Sequence, residues 1–285
     1  MSAQILSGKD VAAAVRAEVA TRVAALAGRN KTVGLATVLV GDDPASQIYV
    51  RNKHRAAEAA GMLSVDRRLP SDSTQSEVED VVRELNDDPS VDGMIVQLPL
   101  PDGLDGNRAV AAFDPAKDAD GLHPYNLGLL VLDRPGARPA TPSGIIRILD
   151  HYGIATAGKL AVIVGRSFLV GRPMALLLGA RGVDATVVQA HSRTPDLAAV
   201  TREADILVVA VGVRHLIGAE DVKPGATVID VGTNRTDEGL TGDVDFAAVV
   251  EVAGAITPVP GGVGPMTIAS LLANTVAAAE RVVGT

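Results

Sequence analysis

The chain has 285 residues, of which 47% are hydrophobic and only 2% aromatic, and its net charge is −8. That length suggests two domains, the apolar content excludes general disorder, and an acidic balance without a long basic run argues against nucleic acid. The absence of cysteine rules out disulfides, thiolate catalysis and cysteine-ligated zinc.

With three Tyr, three Phe and no Trp, the cores must be packed with Val, Leu, Ile and Ala. Such packing suits sheets covered on both faces by helices. The segment Met1–Asp10 has no basic stretch followed by an apolar core, so it does not read as a secretory signal. The longest apolar run, Ile206–Val213, is too short to span a bilayer. A soluble, cytoplasmic protein without membrane contact is the expectation.

Apolar runs and helical stretches alternate along the chain. The first half predicts a helix over Asp10–Ala27, a strand over Val33–Val40, a helix over Pro44–Ala60 and a strand over Leu63–Leu69. A helix over Thr74–Asn86, a strand over Val91–Gln97 and a helix over Ser143–Tyr152 follow. The second half predicts strands over Leu160–Val164, Ala185–Gln189, Ile206–Val211 and Thr227–Val231, with helices over Pro173–Leu178 and Pro195–Glu203. An Ala-rich helix over about 267–285 closes the chain. This alternation predicts an α/β fold with mostly parallel strands. A Pro/Gly-rich break over Asp133–Gly144 places a domain boundary near Pro142, giving domains over 1–142 and 143–266. The last helix either stays with the second domain or packs back on the first.

In the first half, Tyr49 and Lys53 stand four apart on one helix and so share a face. They read either as a solvated face with a half-buried tyrosine, or as an aromatic platform beside a lysine whose pKa burial can shift. Gln97 ends a strand at its carboxyl end, where open α/β sheets bind ligands; it is also an ordinary polar strand terminus. The turn Pro115–Gly121 lacks the later ligands of a calcium loop. Its Asp120 is either structural or an acceptor for a donor pair on a heterocycle.

In the second half, Gly153–Lys159 resembles a P-loop, but Leu160 stands where a hydroxyl would hold magnesium, and a strand follows rather than precedes it. Ala161–Met174 reads as strand, turn and helix start, the order that presents N–H groups and a helix dipole to a phosphate. Gly165 and Gly171 bound the turn with five residues between them, which departs from the usual dinucleotide fingerprint and also suits an ordinary joint. The next strand ends in His191-Ser192-Arg193-Thr194, where a Rossmann unit reads the adenosine ribose. A hydroxyl, an imidazole and a guanidinium suit a 2′-phosphate, favouring NADP over NAD. The loop Thr257–Thr267 holds three glycines and three prolines and can pass close to a ligand. No HExxH or GxSxG occurs and the histidines show no ligand spacing, so no metal is expected.

Taken together, these segments resemble the bacterial bifunctional methylenetetrahydrofolate dehydrogenase/methenyltetrahydrofolate cyclohydrolase family. The resemblance rests on Tyr49–Lys53, Asp92–Pro101, Lys117–Gly121, Thr141–Gly144, Val164–Pro173, His191-Ser192, Asp230–Gly232, Gly242–Val244 and Thr257–Thr267, in the family's order. Two positions depart from the family's pattern: Ala140 stands where a cysteine is usual, and Arg55 where a second lysine is. The resemblance implies a folate-binding N-terminal α/β domain and a Rossmann-like NADP-binding domain with a parallel sheet, separated by a cleft. It implies oxidation of methylenetetrahydrofolate with NADP, hydrolysis of the methenyl product, and a homodimer. Tyr49, Lys53, Gln97 and Asp120 are the implied catalytic groups, with Pro260 and Gly261 also at the substrate. Gly165, Arg166, Ser167, Gly171, His191, Ser192, Arg193 and Thr233 are implied at NADP. Another NADP-dependent dehydrogenase explains the second half but leaves Tyr49, Lys53, Gln97 and Asp120 without a joint purpose. A non-catalytic NADP-binding protein would be expected to lose one of those four groups, all of which are present.

Overall fold

The strands over Gly34–Val40, Gly93–Val96, Leu160–Val164 and Ile206–Val209 are near-continuous apolar runs rather than alternating ones. They are buried almost throughout, which is the mark of sheets covered on both faces. The computed structural model of the chain describes residues 2–237 and 239–284; the outer ends of the expected ranges, at Met1 and Thr285, lie outside them. In chain order the first elements are β1 (Gln4–Ile5), α1 (Gly8–Ala27), β2 (Gly34–Val40), α2 (Pro44–Ala59), β3 (Leu63–Leu69) and α3 (Gln75–Asp87). Next come β4 (Gly93–Val96), α4 (Gly106–Ala111), α5 (Pro124–Val131), α6 (Ala140–His151), β5 (Leu160–Val164) and α7 (Gly171–Leu178). They are followed by β6 (Thr186–Ala190), α8 (Leu197–Thr201), β7 (Ile206–Val209), β8 (Thr227–Asp230) and β9 (Asn234–Thr236). The chain closes with β10 (Gly239–Thr241), α9 (Phe246–Val249), β11 (Ala255–Ile256) and α10 (Val263–Val282).

Two compact units emerge. One comprises Ala13–Leu129, Pro135–Ala140 and the chain from Ile268 onward. Its three-stranded sheet has the order β3-β2-β4, parallel throughout, with Val38 opposite Val96. All seven residues of β2 are buried, as befits a central strand. Helix α2 packs on β2 and β3, and α3 packs on β2. The later turns of α10 belong here too: Asn274 Nδ2 donates to the carbonyls of Ala119 and Arg138 at 2.8 and 2.9 Å.

The other unit comprises the chain up to Ala12, Leu130–Arg134 and Thr141–Thr267. Its six-stranded parallel sheet runs β1-β11-β8-β7-β5-β6. Val162, Val164, Leu207, Val209 and Val228 form the centre of its core. The chain moves from β5 outward to β6 and then crosses back to β7. That reversal is the topological switch point, outside whose carboxyl edge such sheets bind ligands.

Seven strands and seven helices expected from the sequence are present, the strands over Leu63–Leu69 and Leu160–Val164 with the expected bounds and the others with at least one shifted end. Four helix starts precede the expected ones: α1 at Gly8, α6 at Ala140, α7 at Gly171 and α10 at Val263. The last three have proline at their third position (Pro142, Pro173, Pro265), where no intrahelical N–H bond is lost. Helix α6 therefore runs through Pro142 itself. Elements unexpected from sequence are β1, β11, the β9–β10 hairpin, α4, α5 and α9, all of eight residues or fewer.

Candidate active site

Helix α2 begins cleanly because Pro44 occupies its first position and the Asp43 carboxylate accepts the Ser46 N–H at 2.7 Å. Its buried face is Ser46, Val50, Lys53 and Ala57. A lysine thus stands on the stripe that faces the sheet, only 6% exposed. Burial pushes its pKa below the usual lysine value, while the Asp120 charge acts in the opposite sense. One turn earlier, Tyr49 is 39% exposed and offers an accessible ring.

Gln97 follows β4 directly, its N–H donating to the Val38 carbonyl at 2.9 Å. Lys53 Nζ donates to Gln97 Oε1 at 3.2 Å, and Gln97 Nε2 donates to the Leu98 carbonyl at 2.8 Å. The amide is held at both ends. The segment bearing Asp120 lies along β4, with Asp118 bridged to Met94 and the Ala119 N–H on the Met94 carbonyl. Asp118 is the organiser of that turn, accepting from the N–H groups of Leu122 and His123 and from Asn126 Nδ2. Lys117 Nζ ties the turn to the end of α3 through the carbonyls of Leu85, Asn86 and Asp88. Asp120 is left half-buried. The unit therefore gathers a desolvated amine, an amide, a carboxylate and an aromatic ring around the carboxyl end of β4.

In the other unit, the turn after β5 folds back on itself. A Cβ at Gly171 would lie 2.3 Å from the Gly165 carbonyl oxygen, and Gly165 itself has φ +127°. Glycine is required at both positions, and the close approach gives the five-residue spacing its meaning. Ser167 Oγ accepts from the Val170 N–H at 3.2 Å. Arg166 and Ser167 are exposed beside the start of α7. Strand β6 pairs with β5 through Val164 and Ala190, so the tip His191–Thr194 opens directly beside this turn. There the His191 N–H donates to Thr194 Oγ1 at 2.9 Å, leaving Ser192 and Arg193 exposed. Thr233 is exposed three residues beyond β8, on the same edge of the sheet. Pro260 and Gly261 belong to this unit also, in a loop where the Gly261 carbonyl accepts the Lys9 N–H at 3.2 Å.

Tyr49, Lys53, Gln97 and Asp120 are thus brought together in one unit, and the residues expected at NADP in the other. Sequence reasoning assigned nothing to Asp118, Asp230 or Asp243. The available signal was an aspartate within three residues of a glycine (Gly121, Gly232 and Gly242 respectively), where a short carboxylate can gather loop N–H groups.

Residues 6–120 match the family described as "Tetrahydrofolate dehydrogenase/cyclohydrolase, catalytic domain", and residues 139–283 match "Tetrahydrofolate dehydrogenase/cyclohydrolase, NAD(P)-binding domain". The chain is 55% identical over 280 residues to the "Bifunctional protein FolD" of Oleidesulfovibrio alaskensis, covering 97% of this chain and 98% of that protein. Among solved structures it is similar to the bifunctional FolD enzyme of Campylobacter jejuni, with a TM-score of 0.95 at 44% identity over 98% of this chain and 99% of that one. The Trypanosoma brucei FolD, solved with NADP cofactor and inhibitor, has a TM-score of 0.94 at 40% identity over the whole of both chains. The paired catalytic and nucleotide-binding matches, in one chain and in this order, make it a member of the tetrahydrofolate dehydrogenase/cyclohydrolase family.

Proposed function

We propose that this protein oxidises 5,10-methylenetetrahydrofolate to the 5,10-methenyl cation with NADP and then hydrolyses that cation to 10-formyltetrahydrofolate. The observation that carries the reading is the buried Lys53 amine on Gln97 Oε1, because a general acid-base group of this kind serves the second step. The phosphate turn fits a dinucleotide: two glycines let the backbone close on itself, and Arg166 and Ser192 supply exposed donors for a 2′-phosphate. NADP supplies the hydride acceptor when bound.

The chain's own groups then do the following. Tyr49 stacks on the aminobenzoyl ring of the folate, and the Asp120 carboxylate accepts from the donor edge of the pterin. Orientation is the main requirement of hydride transfer. In the hydrolysis, water adds to the methenyl carbon and its proton passes to the neutral Lys53 amine. The resulting ammonium returns that proton to N5 as the N5–carbon bond breaks, and the hydroxyl proton is released to water, leaving the formyl group on N10. Burial favours the neutral form of Lys53, and Gln97 fixes the orientation of the amine. Pro260 and Gly261 are assigned to the substrate, and Gly165, Ser167, Gly171, His191, Arg193 and Thr233 to the cofactor, on the family resemblance. A homodimer in the cytoplasm belongs to the same reading; among the described residues no helix is long and apolar enough to cross a membrane.

The test uses purified protein with methylenetetrahydrofolate and NADP or NAD in parallel, and separately with added methenyltetrahydrofolate. NADP-dependent reduction together with methenyl hydrolysis is expected. Lys53→Gln is expected to lower hydrolysis by about a hundredfold or more, the scale of general acid-base catalysis. Full hydrolysis by that variant removes Lys53 from its role, and absence of both reactions in the unmodified protein overturns the folate reading.

A further inference from the structure

Two buried carboxylates lie at the carboxyl edge of the six-stranded sheet, in segments to which the proposed chemistry gives no task. Asp230 is the last residue of β8, 3% exposed, and Asp243 follows β10 by two residues, 0% exposed. Asp230 Oδ1 accepts from the N–H groups of Gly232 and Asp243 at 2.9 and 3.0 Å, and its Oδ2 from that of Val244 at 3.0 Å. Asp243 Oδ2 accepts from the N–H groups of Val211 and Gly212 at 2.8 and 2.9 Å, and its Oδ1 from Asn234 Nδ2 at 2.8 Å.

The bonds form a relay across three loops. Asp230 holds the segment 242–244, and Asp243, so held, grips the loop after β7 and the start of the β9–β10 hairpin. Glycines make the room. A Cβ at Gly232 would lie 2.2 Å from Asp243 Oδ1, and one at Gly242 would lie 1.7 Å from Asp230 Oδ2.

The gripped loop is one of the two that border the switch point. Its first residue, Ala210, places a carbonyl oxygen 2.3 Å from where a Cβ on Gly165 would sit, so it packs directly against the opening of the phosphate turn. Asn234 adjoins Thr233, assigned above to the cofactor. Both segments reach the dinucleotide edge of the sheet, and the loop after β7 has no strand ladder to hold the N–H groups of Val211 and Gly212 there. A buried carboxylate accepting three donors sets that loop geometry before any ligand arrives.

We propose that Asp243 is a positioning residue for the dinucleotide, fixing the loop after β7 and the residue after Thr233 so that the phosphate turn and its neighbours form one preorganised site. This rests on the reading of that edge as the NADP site.

The experiment measures the Kd for NADP by fluorescence or calorimetry, alongside the two folate reactions. Asp243→Ala is expected to weaken NADP by roughly tenfold or more, about 1.4 kcal/mol. The ratio of dehydrogenase to cyclohydrolase activity falls by a similar factor, because hydrolysis of added methenyltetrahydrofolate is assayed without the dinucleotide. The exchange Asp243→Asn with Asn234→Asp swaps donor and acceptor and is expected to restore most of the affinity. Where the alanine variant fails to fold, Asn234→Ala, which removes a single bond, carries the test through a smaller loss in the same ratio. An NADP affinity within about twofold of the unmodified protein, parallel loss of both activities, or no recovery on exchange overturns the proposal. Failure of the unmodified protein to bind NADP would instead overturn the cofactor reading beneath it.

Discussion

At the scale of single residues, the informative feature is a lysine where a helix would ordinarily carry an apolar side chain. Lys53 continues the stripe of Val50 and Ala57, and burial holds its pKa down. The spacing of Tyr49 and Lys53 is visible in the sequence. Its meaning is not, because whether that face is buried depends on where α2 lies on the sheet. Asp120 acts on Lys53 from a distant part of the chain, raising its pKa. Asp120→Asn is therefore expected to do two things. Loss of a charge-assisted hydrogen bond weakens folate binding by roughly tenfold or more, and equilibrium titration with the folate checks it. Removal of the charge also moves the acidic limb of the cyclohydrolase pH profile to lower pH. Unchanged folate affinity takes Asp120 out of the pterin site, and an unmoved limb separates it from Lys53.

The local signals that start helices were legible at the scale of elements. Thr74 caps α3 reciprocally with Glu77: Thr74 Oγ1 accepts the Glu77 N–H at 3.3 Å, and Glu77 Oε2 accepts the Thr74 N–H at 2.7 Å. Thr74→Ala is expected to lower stability by about 1 kcal/mol in urea denaturation, a typical cost for a lost cap. A midpoint equal to that of the unmodified protein would mean the cap does not hold the helix. Proline marked the start of α2 correctly at Pro44 but misled at α7, where Pro173 stands at the third position rather than the first. Short strands were invisible for another reason. Gln4–Ile5 and Ala255–Ile256 are strands only because each finds a partner, Gln4 opposite Ala255, at the end of a long chain separation.

At the scale of the whole molecule, the pH dependence of stability carries opposing contributions. Burial raises the Asp230 pKa from 3.8 to about 6, against the N–H groups of Val244, Asp243 and Gly232 that favour its charge. A raised carboxylate pKa means that the folded state holds the extra proton. Its contribution is complete below pH 3.8 and is lost as pH rises through about 6. Roughly 1 kcal/mol of that loss falls between pH 5 and pH 7. Lys53 acts in reverse: its lowered pKa makes the folded state hold fewer protons, so its penalty eases as pH rises toward the ordinary lysine value. Urea denaturation of the unmodified protein and of Asp230→Asn at pH 5 and pH 7 is expected to show the unmodified protein losing about 1 kcal/mol relative to the variant. An equal difference at both values would mean that Asp230 does not titrate in that window.

The sequence by itself determined the α/β class, the principal strands and helices, the two glycines of the phosphate turn and the family. These depend on periodicity, on turn chemistry and on side chains close together along the chain. Only the tertiary structure decided that Lys53 is buried on Gln97, that the late turns of α10 join the unit of the three-stranded sheet, and that Asp230 and Asp243 bind three loops into one frame. Each of these joins residues that are far apart in sequence or packs a face that spacing leaves open. Burial, and the shift in proton affinity that follows from it, exist only once those distant groups have excluded water.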